Sequence, residues 1–382
     1  MTQRPECFPA SEQSATRLDP GTSSYGKTRL RRFRFNRPQR IAAALLGCLL
    51  VECAWRIGDE QAVTQAQTPV LARALAQMAG WVYGWLPASL GPEPAWVAAL
   101  PFVAAALALG GALWWVTRRQ FGNRGGYTAL ALYCFSPVVV QAAVRPGTAL
   151  LAALGVYGGI YTAIGVSHAM QGPRRKWRPR IVLLTAAFTL AGAASPLALA
   201  ATALLGLALM LWVGEGRRRL IVPIVGVALG GALLLWAVGC TVVRMGLVGA
   251  ERNRLVLSHA ASSGGPFVAI APLRASMAAP GAWLAQAGLG VALLIALALY
   301  AGVRRSRFFG NTAPLLVAVA LPVVAWPRTG VWLWALPFGL TFVAGVLADA
   351  YESRWLRLAH VAAVLLVLAQ VAACVAALAG VR

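Results

Sequence analysis

Apolar runs of close to membrane-crossing length recur along this chain, and no other feature restricts its fold so strongly. The first is IAAALLGCLLVECAW, Ile41–Trp55. The expected spans are 40–55, 96–116, 127–143, 148–170, 180–194, 197–213, 220–243, 283–303, 311–326, 331–348 and 358–380. A helix needs ~20 apolar residues to cross ~30 Å of hydrocarbon. Alanine, Gly and Leu dominate these runs, as suits helices that approach one another closely. Only 12% of the residues are charged, roughly half the share in soluble globular proteins. The expected fold is therefore all-α, a polytopic membrane protein with about eleven transmembrane helices.

The net charge of +23 raises the question of nucleic acid. Position answers it. Basic clusters fall at alternate connections: RLRRFRFNRPQR (Arg29–Arg40), RRQFGNR (Arg118–Arg124), RRKWRPR (Arg174–Arg180), RRR (Arg217–Arg219), RRSR (Arg304–Arg307), then Arg354 and Arg357. With the rest of the N-terminal segment, they hold 25 of the 34 Lys and Arg residues. The positive-inside rule makes that side cytoplasmic, so the charge reads as topology and no nucleic-acid partner is expected. Residues 1–39 read as a disordered basic cytoplasmic tail, and 40–380 as the transmembrane domain. A cleaved signal peptide is the rival reading, because ALLGC (Ala44–Cys48) imitates a lipoprotein cleavage box. Cys48, however, leads into more apolar sequence.

This orientation puts two long loops, about 56–95 and 244–282, on the external side. Asp59 and Glu60 stand together where the first span ends, in a chain with only 11 acidic residues. Their plain reading is a polar exit from the membrane, with Asp59 capping the next helix. After Pro69, Leu71, Leu75, Met78 and Val82 recur at helical spacing before Trp81, Tyr83 and Trp85. That pattern predicts a helix lying along the membrane surface. Arg145, Arg244, Arg252, Arg254, Arg274 and Arg328 lie on the side where basic residues are disfavoured. They are candidates to hold phosphate oxygens, which guanidinium forks suit, or else are solvated loop charges. Glu52 lies inside the first span, where a carboxylate needs a partner or a watery cavity; Arg56 is one turn away. The six cysteines have no metal-like spacing and read as small buried side chains. The three histidines lie far apart.

The order of these features resembles the GT-C glycosyltransferases, the group of protein mannosyltransferases and aminoarabinose transferases. The resemblance covers about 40–350. It is carried by an apolar span ending in Asp59-Glu60 and by a turn, Arg118, Arg119, Phe121 and Gly122, leading into a small-residue helix that ends near Ser136-Pro137. The break in AGAASPLAL (Ala191–Leu199) and RTGVWLWALPF (Arg328–Phe338) add to it.

The resemblance implies transfer of a sugar from a polyprenyl-phosphate donor to a lipid, glycan or protein acceptor at the external face. Asp59 would be the catalytic acid, acting as base or metal ligand, with Glu60 beside it. Arginines of the second loop would meet the donor phosphate. A divalent cation is the cofactor the resemblance allows, and an inner (plasma) membrane location follows from the bacterial members of the group. Two features depart from the pattern: Arg145-Pro146-Gly147-Thr148 lacks the second acid of many relatives, and Trp332 replaces a late tyrosine. A non-catalytic relative, acting as a subunit or binding protein, is therefore the second expectation. A transporter or flippase is the third, although no internal repeat supports it.

Overall fold

The structure, a computed structural model, describes residues 36–57, 70–84, 96–144, 147–172, 177–214, 217–244, 280–302, 308–324, 331–353 and 356–379. These residues are helical throughout, with no strand among them. In chain order the helices are α1 (Arg37–Ile57), α2 (Val70–Gly84), α3 (Trp96–Cys134), α4 (Pro137–Val144), α5 (Ala149–Met170) and α6 (Arg178–Ala194). They continue as α7 (Pro196–Val213), α8 (Arg218–Arg244), α9 (Pro280–Gly302), α10 (Phe308–Val324), α11 (Val331–Tyr351) and α12 (Leu356–Ala379).

The expected spans fall on helices, 127–143 being divided between α3 and α4, and among the described residues seven helices are long and apolar enough to cross a membrane. The expected eleven exceeds that number because several spans are short or merged. α6 and α10 have 17 residues each, a rise of roughly 25 Å against ~30 Å of hydrocarbon. α3 joins two expected spans in one 39-residue segment that reverses at Gly122. There φ is 77°, a backbone region that only glycine enters without cost. Arg118 Nε closes the turn by donating to Asn123 Oδ1 at 2.8 Å.

Two Ser-Pro pairs set the other breaks. Ser136 separates α3 from α4, and Ser195 separates α6 from α7 with extended backbone (φ −165°, ψ 129°). Proline forces the residue before it out of the helical region, yet fits the first turn of the helix it opens.

α11 is the central helix, packed against α3, α5, α9, α10 and α12. α5 lies beside it and carries α6 and α7 on its other side. Two glycines four residues apart explain the close α5 contacts. A Cβ on Gly155 would fall 2.5 Å from the backbone nitrogen of Ala191, and one on Gly159 would fall 2.5 Å from Thr202 Cγ2. A larger residue at either position would push its neighbour away. α8 and α12 sit at the rim, with Val222, Val227, Leu234, Trp236, Leu358, Val361 and Leu365 exposed. Lipid tails cover such faces in a membrane protein.

Between α5 and α11, fully buried Tyr157 lies 3.2 Å from Thr341 Oγ1, and Tyr161 stacks on Phe338 at 5.9 Å between ring centroids. Tyr157→Phe removes this bond without opening a cavity. Thr341 keeps its other bond, to the Pro337 carbonyl at 2.7 Å. Hydrogen bonds between membrane helices average about 0.6 kcal/mol, so the thermal midpoint in detergent is expected to fall only slightly. A collapse of the fold would contradict that assignment.

The helix expected after Pro69 forms as α2, packed on α3. Ala72 and Leu75 face the core, whereas Met78 and Val82 are 53% and 60% exposed. Part of the apolar stripe thus lacks protein cover, as in a helix lying at a lipid boundary. Tyr83 meets Trp96 edge-on, with centroids 6.1 Å apart.

Candidate functional site

Contacts between connections define one end of the bundle. Arg180 and Arg217 donate to the carbonyl oxygens of Gly165 and Met170, which joins the C-terminus of α5 to the N-termini of α6 and α8. Asn311 Nδ2 donates to Asp349 Oδ2 at 2.6 Å, and Tyr351 packs on His360 at 4.6 Å. These contacts join the N-termini of α10 and α12 to the C-terminus of α11. A Cβ on Gly345 would meet Phe121 of the α3 turn at 2.7 Å, so that turn belongs to the same end. This is the end that carries the basic clusters.

The opposite end is where the candidate residues enter the chain. α1 leads from Ile57 toward Asp59 and Glu60, and α4 leads from Val144 into Arg145. α8 ends at Arg244, and α10 leads from Val324 toward Arg328. α1 packs on both α3 and α4. Asp59, Glu60, Arg145, Arg252, Arg254, Arg274 and Arg328 themselves lie outside the described residues. Arg244 is described in its backbone only. Of these helices, α1 and α4 pack on one another, whereas α8 packs on α6 and α7 and α10 on α11.

One polar cluster at that end is described, and it centres on Glu52. Its Oε2 accepts a hydrogen bond from the Cys374 thiol of α12 at 3.4 Å. The expected partner was Arg56. That guanidinium is buried in the same neighbourhood, 5% exposed, and acts electrostatically on Cys374. Of the four described cysteines, Cys374 is the one that meets this carboxylate within hydrogen-bond distance. Three are buried and Cys48 is exposed. Gln370 stands one turn before Cys374, 2% exposed, and its Nε2 has no hydrogen-bond partner among the described residues.

A thiol is a weak donor, so Cys374 satisfies little of the demand of a carboxylate, and a partly buried carboxylate so held keeps its capacity to accept further donors. Among the described residues, no three His, Cys, Asp or Glu side chains are placed to hold a metal ion.

Sequence reasoning found Glu52 but missed the company it keeps. The signal available was Gln370, a carboxamide within an apolar span, which rarely occurs without a role. The same reasoning applies to Asn311, which is 1% exposed at the basic end.

No family model and no curated protein matches the chain. Among solved structures it is similar to the oligosaccharyltransferase of Archaeoglobus fulgidus, described as a complex with zinc and sulfate. The TM-score is 0.47 and the identity 14%, over 82% of this chain and 44% of that one. The chain thus spans less than half of that protein's length.

Proposed function

We propose that the chain is a membrane glycosyltransferase that moves a sugar from a polyprenyl-phosphate donor to an envelope lipid, glycan or protein acceptor at the external face. The observation that supports this reading is a shared direction of helix ends. The helices leading into an acid pair and into three separate arginines, Arg145, Arg244 and Arg328, end on one side of the bundle, opposite the basic turns. The order of segments that resembles the GT-C group supports it further: the span before Asp59-Glu60, the surface helix α2, the reversal at Gly122 and the two Ser-Pro breaks.

In this reading Asp59 takes the proton of the acceptor hydroxyl as that oxygen attacks the anomeric carbon. Glu60 is its partner carboxylate, whose negative charge strengthens the affinity of Asp59 for that proton. Guanidinium groups among Arg145, Arg244, Arg252, Arg254, Arg274 and Arg328 receive the charge that stays with the departing polyprenyl phosphate. The lipid donor reaches the site sideways, from the bilayer.

A second reading has one observation in its favour: Arg145–Thr148 holds no carboxylate. In that reading the chain binds the donor without transferring its sugar. Purified protein, radiolabelled polyprenyl-phosphate sugars and a membrane extract separate the two. Transfer of label to an extract component is expected. Donor binding with no transfer would replace the first reading with the second, and sugar-independent substrate flux in sealed vesicles would defeat both.

A further inference from the structure

The turn Arg118–Arg124 at the basic end has a built arrangement of cations and rings. Arg118 and Arg119 each lie over the indole four residues earlier, Trp114 at 5.1 Å and Trp115 at 5.5 Å. Past the reversal, Arg124 lies over the Tyr351 ring of α11 at 5.7 Å. One helical turn is about 5.4 Å along the axis, so both indoles lie roughly that much deeper in the bundle than the cations they carry. Trp115 is 56% exposed, placed where indoles mark the water–lipid boundary. Arg119, Asn123 and Arg124 are exposed as well.

Stacking occupies the face of a guanidinium and leaves in-plane N–H groups available, on Arg118 those other than Nε. The described side-chain partner of the trio is Asn123, whose Oδ1 accepts from Arg118 Nε. The two described acids at this end are Asp349, which accepts from Asn311, and Glu352.

Basic loops are drawn to anionic leaflets without any defined geometry. Here three guanidinium groups are held on rings around a glycine turn, which fixes their spacing before any ligand arrives. We propose that this turn is a seat for the phosphate of an anionic phospholipid in the adjoining leaflet, held by Arg118, Arg119 and Arg124. The seat is independent of the proposed sugar transfer and lies at the other end of the bundle.

Native mass spectrometry of the full-length chain, titrated with phosphatidylglycerol or phosphatidylcholine, tests it. The parent is expected to retain phosphatidylglycerol preferentially. The pair Arg118→Gln with Arg119→Gln is expected to lose about thirtyfold of that retention. Arg304→Gln with Arg305→Gln, an equal charge loss at another basic turn, is expected to keep it. Arg118→Lys with Arg119→Lys keeps the charge but not the planar fork, and is expected to fall between. Millimolar inorganic phosphate is expected not to displace the lipid. Equal loss in both glutamine pairs, unchanged retention in the Arg118/Arg119 pair, a lysine pair equal to the parent, or displacement by free phosphate would each overturn the seat.

Discussion

Asp59→Asn in the full-length chain is expected to lower sugar transfer by 10²–10⁴-fold, the range that a positioned general base contributes. Asparagine preserves the size and most of the hydrogen bonding of aspartate but takes no proton at neutral pH. Donor binding is therefore expected to stay close to that of the parent, because in this account the arginines hold the phosphate. The split between binding and turnover is the informative part. A variant that loses both to the same degree would mark Asp59 as structural, a polar exit from the membrane. A variant that loses neither would remove it from the mechanism. Glu60→Gln is expected to have the smaller effect, since Glu60 acts through its neighbour's affinity for the proton.

The second large effect concerns the fold. Gly155→Val is expected to be strongly destabilising, because the Cβ would meet the backbone of α6 with Ala191 N at 2.5 Å and Cα at 2.8 Å. No rotamer relieves a clash with backbone, so the helices must separate. Overpacking of this kind costs about 1–3 kcal/mol and occasionally more. The effect reaches α7 too, since Gly159 on the same face of α5 touches Thr202. Gly158→Ala is the matched control. Its Cβ would meet only Ala187 Cβ at 3.8 Å, ordinary contact distance, and alanine improves helix propensity. Thermal unfolding in detergent is expected to show a midpoint several degrees lower for Gly155→Val and unchanged or higher for Gly158→Ala. Equal behaviour of the two would contradict the α5–α6 packing.

The positions of the helices were legible because membrane burial writes itself into sequence as long apolar runs. The breaks were legible because proline acts locally: Ser136-Pro137 and Ser195-Pro196 interrupt helices where they stand. The Arg118–Arg124 turn was visible through its charge and its glycine. Legibility ended where contacts depend on how helices pack.

Glu52 was expected to pair with Arg56, its neighbour one turn away. Its described hydrogen bond comes from Cys374, 322 residues further along the chain. No periodicity signals such a contact. Which side of α2 meets protein depends on packing in the same way. Leu71, Leu75, Met78 and Val82 share a stripe, but α3 packs against the side that carries Ala72 and Leu75. A small residue allows closer approach than a large one, so apolarity alone did not identify the buried side. The number of crossings was read from apolar runs alone, and seven of the described helices meet both the length and the apolarity of a crossing.

The central claim is that the donor phosphate is held where α1, α4, α8 and α10 end, away from the basic turns. A photoactivatable polyprenyl-phosphate analogue, cross-linked to the protein in its membrane and mapped by peptide sequencing, addresses it most directly. Label on the segments that follow Ile57 and Val144, competed away by natural donor, is the predicted result. Competable label concentrated on the turns at Arg118–Arg124 or Arg217–Arg219 would contradict it.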